Sequence, residues 1–217
     1  MRRLITVICA ALFLAATARA ADVDELIKQL KDKDSDVRRA AAKALSEMGM
    51  EAKPALPALT KALKDDDKFV RRFSAQSLGE LGPEAKDAVP ALKDALLKDS
   101  AKEVVDAAAG ALAKAGPDGV TTLAELVKDK KKDLKTRKAA ISAFGSMGKD
   151  VSKQAITALS DALKDNELRI EAVTALGDLG PDAKSAVDAI TDALKDNKDR
   201  NFRQAANAAL ARIRGKK

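Results

Sequence analysis

The sequence predicts an all-α protein, a solenoid of about six two-helix repeats. Three observations predict it. Glycine recurs at Gly49, Gly82, Gly116, Gly148 and Gly180, at intervals of 33, 34, 32 and 32 residues, and a fixed period of this size marks a repeat array. Within each interval the apolar residues follow a helical period. The 217 residues are 46% hydrophobic but only 2% aromatic and 34% charged, a balance of Ala, Leu, Lys and acids that suits helices with one dry and one wet face.

The first twenty residues stand apart from the array. Arg2 and Arg3 precede a 13-residue, almost wholly apolar stretch from Leu4 to Ala16, and Ala18-Arg19-Ala20 follows as an A-x-A cleavage pattern. This is the layout of a secretory signal peptide over 1–20, and the stretch is too short to persist as a membrane span. The expected mature chain, 21–217, then has no transmembrane segment. It also has no cysteine, because Cys9 lies inside the apolar stretch. Loss of Arg2, Arg3 and Arg19 lowers the formal net charge from +7 to +4. An exported protein, periplasmic or secreted, is expected.

Alignment on the glycines gives units at about 21–49, 50–82, 83–116, 117–148, 149–180 and 181–215, leaving no segment for a separate catalytic domain. Pro83, Pro117 and Pro181 directly follow three of the glycines; glycine then proline ends a helix that cannot continue. The first helix of each unit carries apolar pairs four residues apart: Leu26/Leu30, Leu59/Leu63, Leu92/Leu96, Leu159/Leu163 and Ile190/Leu194. Pro57 and Pro90 sit near its start, where a missing N–H costs little. The second helix carries a large column, Leu45, Leu78, Leu112, Phe144, Leu176, Leu210, and a small one, Ala41, Ser74, Ala108, Ala140, Ala172, Ala206. One helix pair cannot bury its apolar face alone, so neighbouring units must stack.

A polar set opens the second helix. Asp34 and Arg38 recur as Asp67 and Arg71, Asp133 and Arg137, Asp165 and Arg169, and Asp199 and Arg203, always four apart. The aspartate is placed to cap the helix N-terminus. The arginine is placed to reach that carboxylate or the aspartate of the next unit, as a structural ladder along the inter-helix turns. A row of ligand-binding arginines is the alternative. Unit three has Ala101 and Val105 instead, both members missing together, and carries Gly110 within its second helix. Glycine there costs about 1 kcal/mol relative to alanine, so opening of the solenoid is expected to begin near 99–116.

With the opening D-x-x-V-R and the junction L-G-P-E-A, residues 67–96 (DKFVRRFSAQSLGELGPEAKDAVPALKDAL) resemble HEAT repeats. More narrowly they resemble the short bacterial HEAT-like repeats of the phycobilisome-lyase type. The resemblance recurs in register over 22–215, whereas the T-P-L-H-x-A turn of ankyrin repeats and the aromatic pattern of tetratricopeptide repeats are absent. It implies a right-handed superhelix of paired helices whose second helices line a concave, protein-binding face. Some members of the type attach bilin chromophores to cysteines of partner proteins. The export signal and the absence of His and Tyr depart from such an enzyme.

The chemistry excluded is broad. Without histidine there is no Ser-His-Asp or Cys-His machinery and no imidazole zinc site. A single cysteine excludes thiolate clusters. Asp32, Asp34 and Asp36 imitate a calcium loop, but Val37 stands where Gly is required and Lys43 where a bidentate Glu is required. No catalytic residue, metal or cofactor is expected.

On the expected concave face three outward columns vary while the buried ones hold. They run Arg39, Arg72, Asp106, Lys138, Ile170, Gln204; then Lys43, Gln76, Gly110, Ser142, Thr174, Ala208; then Glu47, Glu80, Lys114, Ser146, Asp178, Arg212. Arg39, Lys43 and Arg72 are the candidate residues for an anionic patch on a protein partner. The second candidate is the turn bearing Lys128, Lys130, Lys131, Lys132, Lys135 and Lys138 around Arg137, which suits an anionic envelope polymer. Nucleic acid is not expected, since stacking aromatics are missing and the lysines sit on one turn rather than a stripe. The expected function is a non-enzymatic protein-interaction scaffold outside the cytoplasm. The alternatives are a polymer-binding envelope protein and an accessory of lyase-like enzymes.

Overall fold

The computed structural model describes residues 22–148, 151–195 and 197–215; the signal peptide expected over 1–20 lies outside the described residues. Six helix pairs follow one another: α1 (22–29) with α2 (Ser35–Glu47), α3 (Leu56–Ala62) with α4 (Lys68–Glu80), α5 (Val89–Lys98) with α6 (Lys102–Lys114), α7 (Pro117–Lys128) with α8 (Leu134–Gly145), α9 (Lys153–Ala162) with α10 (Arg169–Asp178), and α11 (Val187–Leu194) with α12 (Arg200–Ile213). Each second helix packs on the second helix of the next pair, from α2 on α4 through to α10 on α12. The described residues contain no strand. The chain is an all-α solenoid, as its periodicity requires.

The columns hold in the core. Ala41, Ser74, Ala108, Ala140, Ala172 and Ala206 are all fully buried, and Leu45, Leu78, Leu112, Phe144 and Leu176 fill the layer beside them. Leu123 and Val127 supply the buried pair of α7. Three glycines inside second helices bring the stack closer still. A Cβ on Gly79 would lie 3.2 Å from Ala111 Cα, on Gly145 3.0 Å from Ala175 Cβ, and on Gly177 2.9 Å from Ala209 Cα. Each glycine therefore seats an alanine of the following repeat, three residues beyond its small column, against bare backbone, a use that offsets the glycine's low helix propensity.

Three junctions between pairs are seven-residue 3-10 segments, Gly49–Ala55, Gly82–Ala88 and Gly180–Ala186. Each buries two alanines completely: Ala52 and Ala55, Ala85 and Ala88, Ala183 and Ala186. Their leading glycines take φ of 55°, 56° and 57°, a left-handed conformation that stops the preceding helix. The junction into the fourth pair differs. Gly116 has φ 84° and ψ −164°, and Pro117 opens α7 at once.

The Asp/Arg ladder connects neighbouring repeats. Arg38 grips Asp65 through Nε and Nη2 at 2.8 and 3.0 Å, and Arg71 grips Asp99 at 2.6 and 3.0 Å. Arg137 reaches Asp165 at 2.7 Å and Arg169 reaches Asp199 at 3.0 Å. Arg38 and Arg71 also donate to carbonyls of their own inter-helix turn, those of Asp32 and Lys33 and of Asp65 and Asp66. Arg203, in the last pair, makes a long bond to the Asn197 carbonyl, 3.5 Å.

Asp34, Asp67, Asp133 and Asp199 are helix N-caps. Asp165 is not, which corrects the column. Counted from the buried Leu163 and Leu63, Arg169 follows after six residues and Arg71 after eight, a deletion of two. Asp165 therefore occupies the place of Asp65, accepting from the Glu167 N–H at 3.0 Å as Asp65 does from the Asp67 N–H at 2.9 Å. The N-cap position of α10 falls to Leu168, without a side-chain cap. The four-residue spacing of Asp165 from Arg169 is a coincidence of that deletion. In repeat three Asp99 stands in the place of Asp65, accepting from the Ala101 N–H at 2.9 Å, while the cap position, Ala101, has no side-chain cap. Val105 lies buried in the arginine position.

Candidate protein-binding face

Arg39 and Lys43 of α2 and Phe69, Arg72 and Phe73 of α4 line one shallow, open groove of about 600 Å³, floored by Ala40 and edged by Asp36. The caps at Asp34 and Asp67 start both helices at equivalent points, which brings these outward residues side by side. Arg39 is held from two sides, by Asp36 at 3.0 Å and by Asp67 at 2.7 Å, with its guanidinium 4.9 Å from the Phe69 ring centre. The Arg39 hydrogen bond, with the Val70 and Phe69 N–H groups, keeps the Asp67 carboxyl below its ordinary range.

Arg72 is placed differently. Its guanidinium lies 4.4 Å from the Phe73 ring centre and 5.6 Å from that of Phe69, and among the described residues it has no ion pair. Lys68 Nζ stands 5.2 Å over the same Phe69 ring. Lys43 is on the wet rim, 3.8 Å from Glu47. Phe69 itself is 36% exposed, so a large aromatic surface faces outward beneath cations whose charge is only partly spent. Sequence columns brought out Arg39, Lys43 and Arg72 but not Lys68, Phe69 or Phe73. The available signal was composition: the chain has five Phe, and two of them flank Arg72 at helical spacing.

The lysine turn divides into two groups. Arg137 is buried, donating to the Val127 carbonyl at 3.0 Å and to Asp165. Lys128 pairs with Asp161 at 3.4 Å and Lys138 pairs with Glu171. These three serve the contact with repeat five. Lys130, Lys131, Lys132 and Lys135 make no ion pair among the described residues.

The third outward column is partly internal business too. Lys114 pairs with Glu80 and Arg212 with Asp178, each at 2.8 Å across adjacent repeats. Much of the variation in that column is charge reversal between neighbours. Asp32 and Asp34 accept from the N–H groups of Asp34 and Asp36 at 2.8 Å, turn bonds rather than a cation cage. Among the described residues no group of three or more acidic, Cys or His side chains is placed to hold a metal, and no helix is long and apolar enough to cross a membrane.

A family model described as HEAT repeats matches residues 23–113, 90–167 and 156–217. A comparison with curated protein sequences finds no match. Among solved structures, the complex of CpcE and CpcF of phycocyanin lyase from Nostoc sp. is similar at 24% identity and a TM-score of 0.53, over 88% of this chain and 76% of that one. An engineered protein is 26% identical with a TM-score of 0.47, over 89% of this chain and 97% of that one. A designed armadillo repeat protein in complex with the peptide (KR)4 is 20% identical with a TM-score of 0.47, over 87% of this chain and 98% of that one. The stacked helix pairs, the glycine-closed junctions and the family match over nearly the whole array agree: the chain belongs to the HEAT-repeat family.

Proposed function

We propose that this protein is a non-enzymatic scaffold, acting outside the cytoplasm, that holds an acidic segment of a protein partner along the second-helix face. The observation that carries this reading is Arg72, a guanidinium resting on Phe73 and Phe69 with no carboxylate in ion-pair contact among the described residues; Glu103 of the next repeat feels its charge and that of Lys68 without bonding it. A planar cation on aromatic ground is pre-oriented for a carboxylate, so little side-chain entropy is lost on binding. Arg39 has a supporting part. Its two carboxylates fix the Phe69 side of the groove, and Lys43 and Lys68 add positive potential at the rim. The outward column continues through Gly110, Ser142, Thr174 and Ala208, small side chains that leave room for a bound chain to run along the stack. Export rests on the Arg2-Arg3 start, the apolar stretch and the A-x-A pattern.

The test is fluorescence anisotropy with a labelled hexaglutamate peptide. Saturable binding is expected, weakened at least tenfold by Arg72→Glu and within twofold of wild type for Lys131→Glu/Lys132→Glu. A second reading has its own observation, the four lysines of the 128–138 turn that make no ion pair among the described residues. Binding of a polyanion that falls steeply with salt and is lost in the lysine variant alone would transfer the function to that turn.

A further inference from the structure

Where the fourth pair begins, the repeat is three residues short. From the junction glycine to the first fully buried leucine or isoleucine of the next helix takes ten residues at Gly49–Leu59, Gly82–Leu92 and Gly180–Ile190, but seven at Gly116–Leu123. The 3-10 segment is what has gone. Two glycines enforce the shortcut. Gly116 adopts a backbone open to glycine alone, and a Cβ on Gly119 would lie 2.1 Å from the Leu112 carbonyl oxygen. Alpha7 is thereby pulled hard against the end of α6.

The vacated position is a cleft of about 640 Å³. Pro83 of the preceding junction and Ser152 and Gln154 of the following one form its two sides; Ala113, Val120 and Met147 form its apolar floor. The other junctions show what such a space accepts, a turn with two alanines buried to completion. They also show how neighbouring turns are held in line, since Lys53 of one junction pairs with Glu84 of the next at 2.7 Å. In the shortened junction Asp118 keeps the place of Glu84, and Lys86, at the place of Lys53, makes no ion pair with it among the described residues. Volume and lining specify one occupant.

We infer that the Gly116–Gln154 cleft is a second binding site, taking a partner's turn of the form Gly-Pro-acid-Ala-x-x-Ala in place of the junction this chain lacks. The alanines enter the floor at Val120 and Met147. The site lies at the C-terminal ends of the second helices and is independent of the Arg72 groove, which lies toward their N-terminal ends. The same turns in a second copy are sealed in its own core, so the occupant is a partner in which the turn is exposed.

The probe is the capped peptide Gly-Pro-Glu-Ala-Lys-Asp-Ala, followed by the methionine methyl resonances of the whole protein. Met147 is expected to shift saturably while Met48 and Met50 stay in place, and a peptide with both alanines replaced by glutamate is expected to move none. A second variant fills the cleft from within: Asp118-Gly119 replaced by Glu-Ala-Lys-Asp-Ala restores the ten-residue spacing. It is expected to stay as helical as wild type and to respond at least tenfold more weakly to the peptide. A Met147 resonance that ignores the peptide, follows both peptides equally, or responds unchanged in the filled variant would overturn the proposal. So would a Met147 shift that grows with protein concentration alone, which would make the occupant a second copy.

Discussion

Arg71 ties repeat two to repeat three, and the strength of that tie can be worked out from its bonds. Two run to Asp99 at 2.6 and 3.0 Å, and two run back to the Asp65 and Asp66 carbonyls at 2.8 and 2.9 Å. The side chains of the pair are 15% and 6% exposed. Burial works to raise the Asp99 carboxyl, but the Arg71 guanidinium and the Ala101 N–H outweigh it and hold the group below its ordinary range. Asp99→Ala strands a largely buried guanidinium and leaves the Ala101 N–H without its acceptor. Breaking such a pair from one side costs about 3–5 kcal/mol, and the partial exposure of Arg71 places this case near the lower end. Repeat three already contains the apolar solution, with Val105 in the arginine position at 2% exposure. Arg71→Val combined with Asp99→Ala is therefore expected to be about 1–2 kcal/mol more stable than Asp99→Ala alone, because no charge is left stranded. Urea unfolding gives the energies, and hydrogen exchange over α5 and α6 locates them. A single variant within about 0.5 kcal/mol of wild type, or a double variant whose loss is the sum of both singles, would refute the staple.

Gly110→Ala is expected to stabilise the protein by about 0.5–1 kcal/mol, since nothing lies within 4 Å of the added methyl, whereas Gly177→Ala, facing Ala209 at 2.9 Å, should lower the melting temperature by several degrees; thermal unfolding compares the two. Asp67, Asp133 and Asp165 are held below their ordinary range, by Arg39, Thr136 and Arg137 first of all, and Asp199 by the Phe202 N–H first. Their stabilisation is complete above the unfolded carboxyl value of about 3.9 and is lost as pH falls through the lower folded values. With no histidine, stability should stay level between about pH 5 and 7 and fall only below about pH 4, as acid titration followed by circular dichroism will show. Residues 1–30 fused to a reporter active only after export should give signal, and Arg2→Glu/Arg3→Glu should reduce it several-fold; equal signal from both would remove the export reading.

The buried half of the repeat was legible because a column that must be small or must be large repeats six times, and each copy checks the others. The ladder was half legible. Arg137 and Arg169 reach the column aspartates Asp165 and Asp199, but Arg38 and Arg71 reach Asp65 and Asp99, two residues ahead of the column, and Asp165 is in the column only because Arg169 comes two residues early. Spacing along the chain does not record which of two aspartates, two residues apart, faces the neighbouring repeat. The expectation that 99–116 opens first rested on the missing cap, and α6 does lack a side-chain cap at Ala101, but Asp99 keeps the tie to Arg71 and Val105 is buried in the arginine position. Since α6 buries seven of its 13 residues while α11 buries only Ile190, residues 187–194 are now expected to exchange before 102–114. The aromatic ground of the groove was invisible to column reading, because Phe69 and Phe73 have no counterparts in other repeats.

A charged solenoid offers many candidate surfaces, and lateral pairing is a way to choose among them. An outward charge that answers an opposite charge one repeat away, as Lys114 answers Glu80 and Lys138 answers Glu171, is explained by the stack itself. Subtracting those pairs removes Lys128, Arg137, Lys138, Lys114 and Arg212 from any partner-binding list, and most of Arg39 with them. Of the candidate residues, two groups remain among the described residues, Arg72 with Lys68 and Lys43, and the lysines at 130–135. The second is surrounded by water, where each ammonium is well hydrated and a contact gains little. The first sits on exposed Phe69 and half-buried Phe73, so a partner that covers it gains apolar burial along with the ion pair. For Arg72 this means that Phe69→Ala, which leaves every charge in place, should weaken hexaglutamate binding several-fold by removing the surface that orients the guanidinium. If the peptide binds equally well without that ring, the groove is only a patch of potential.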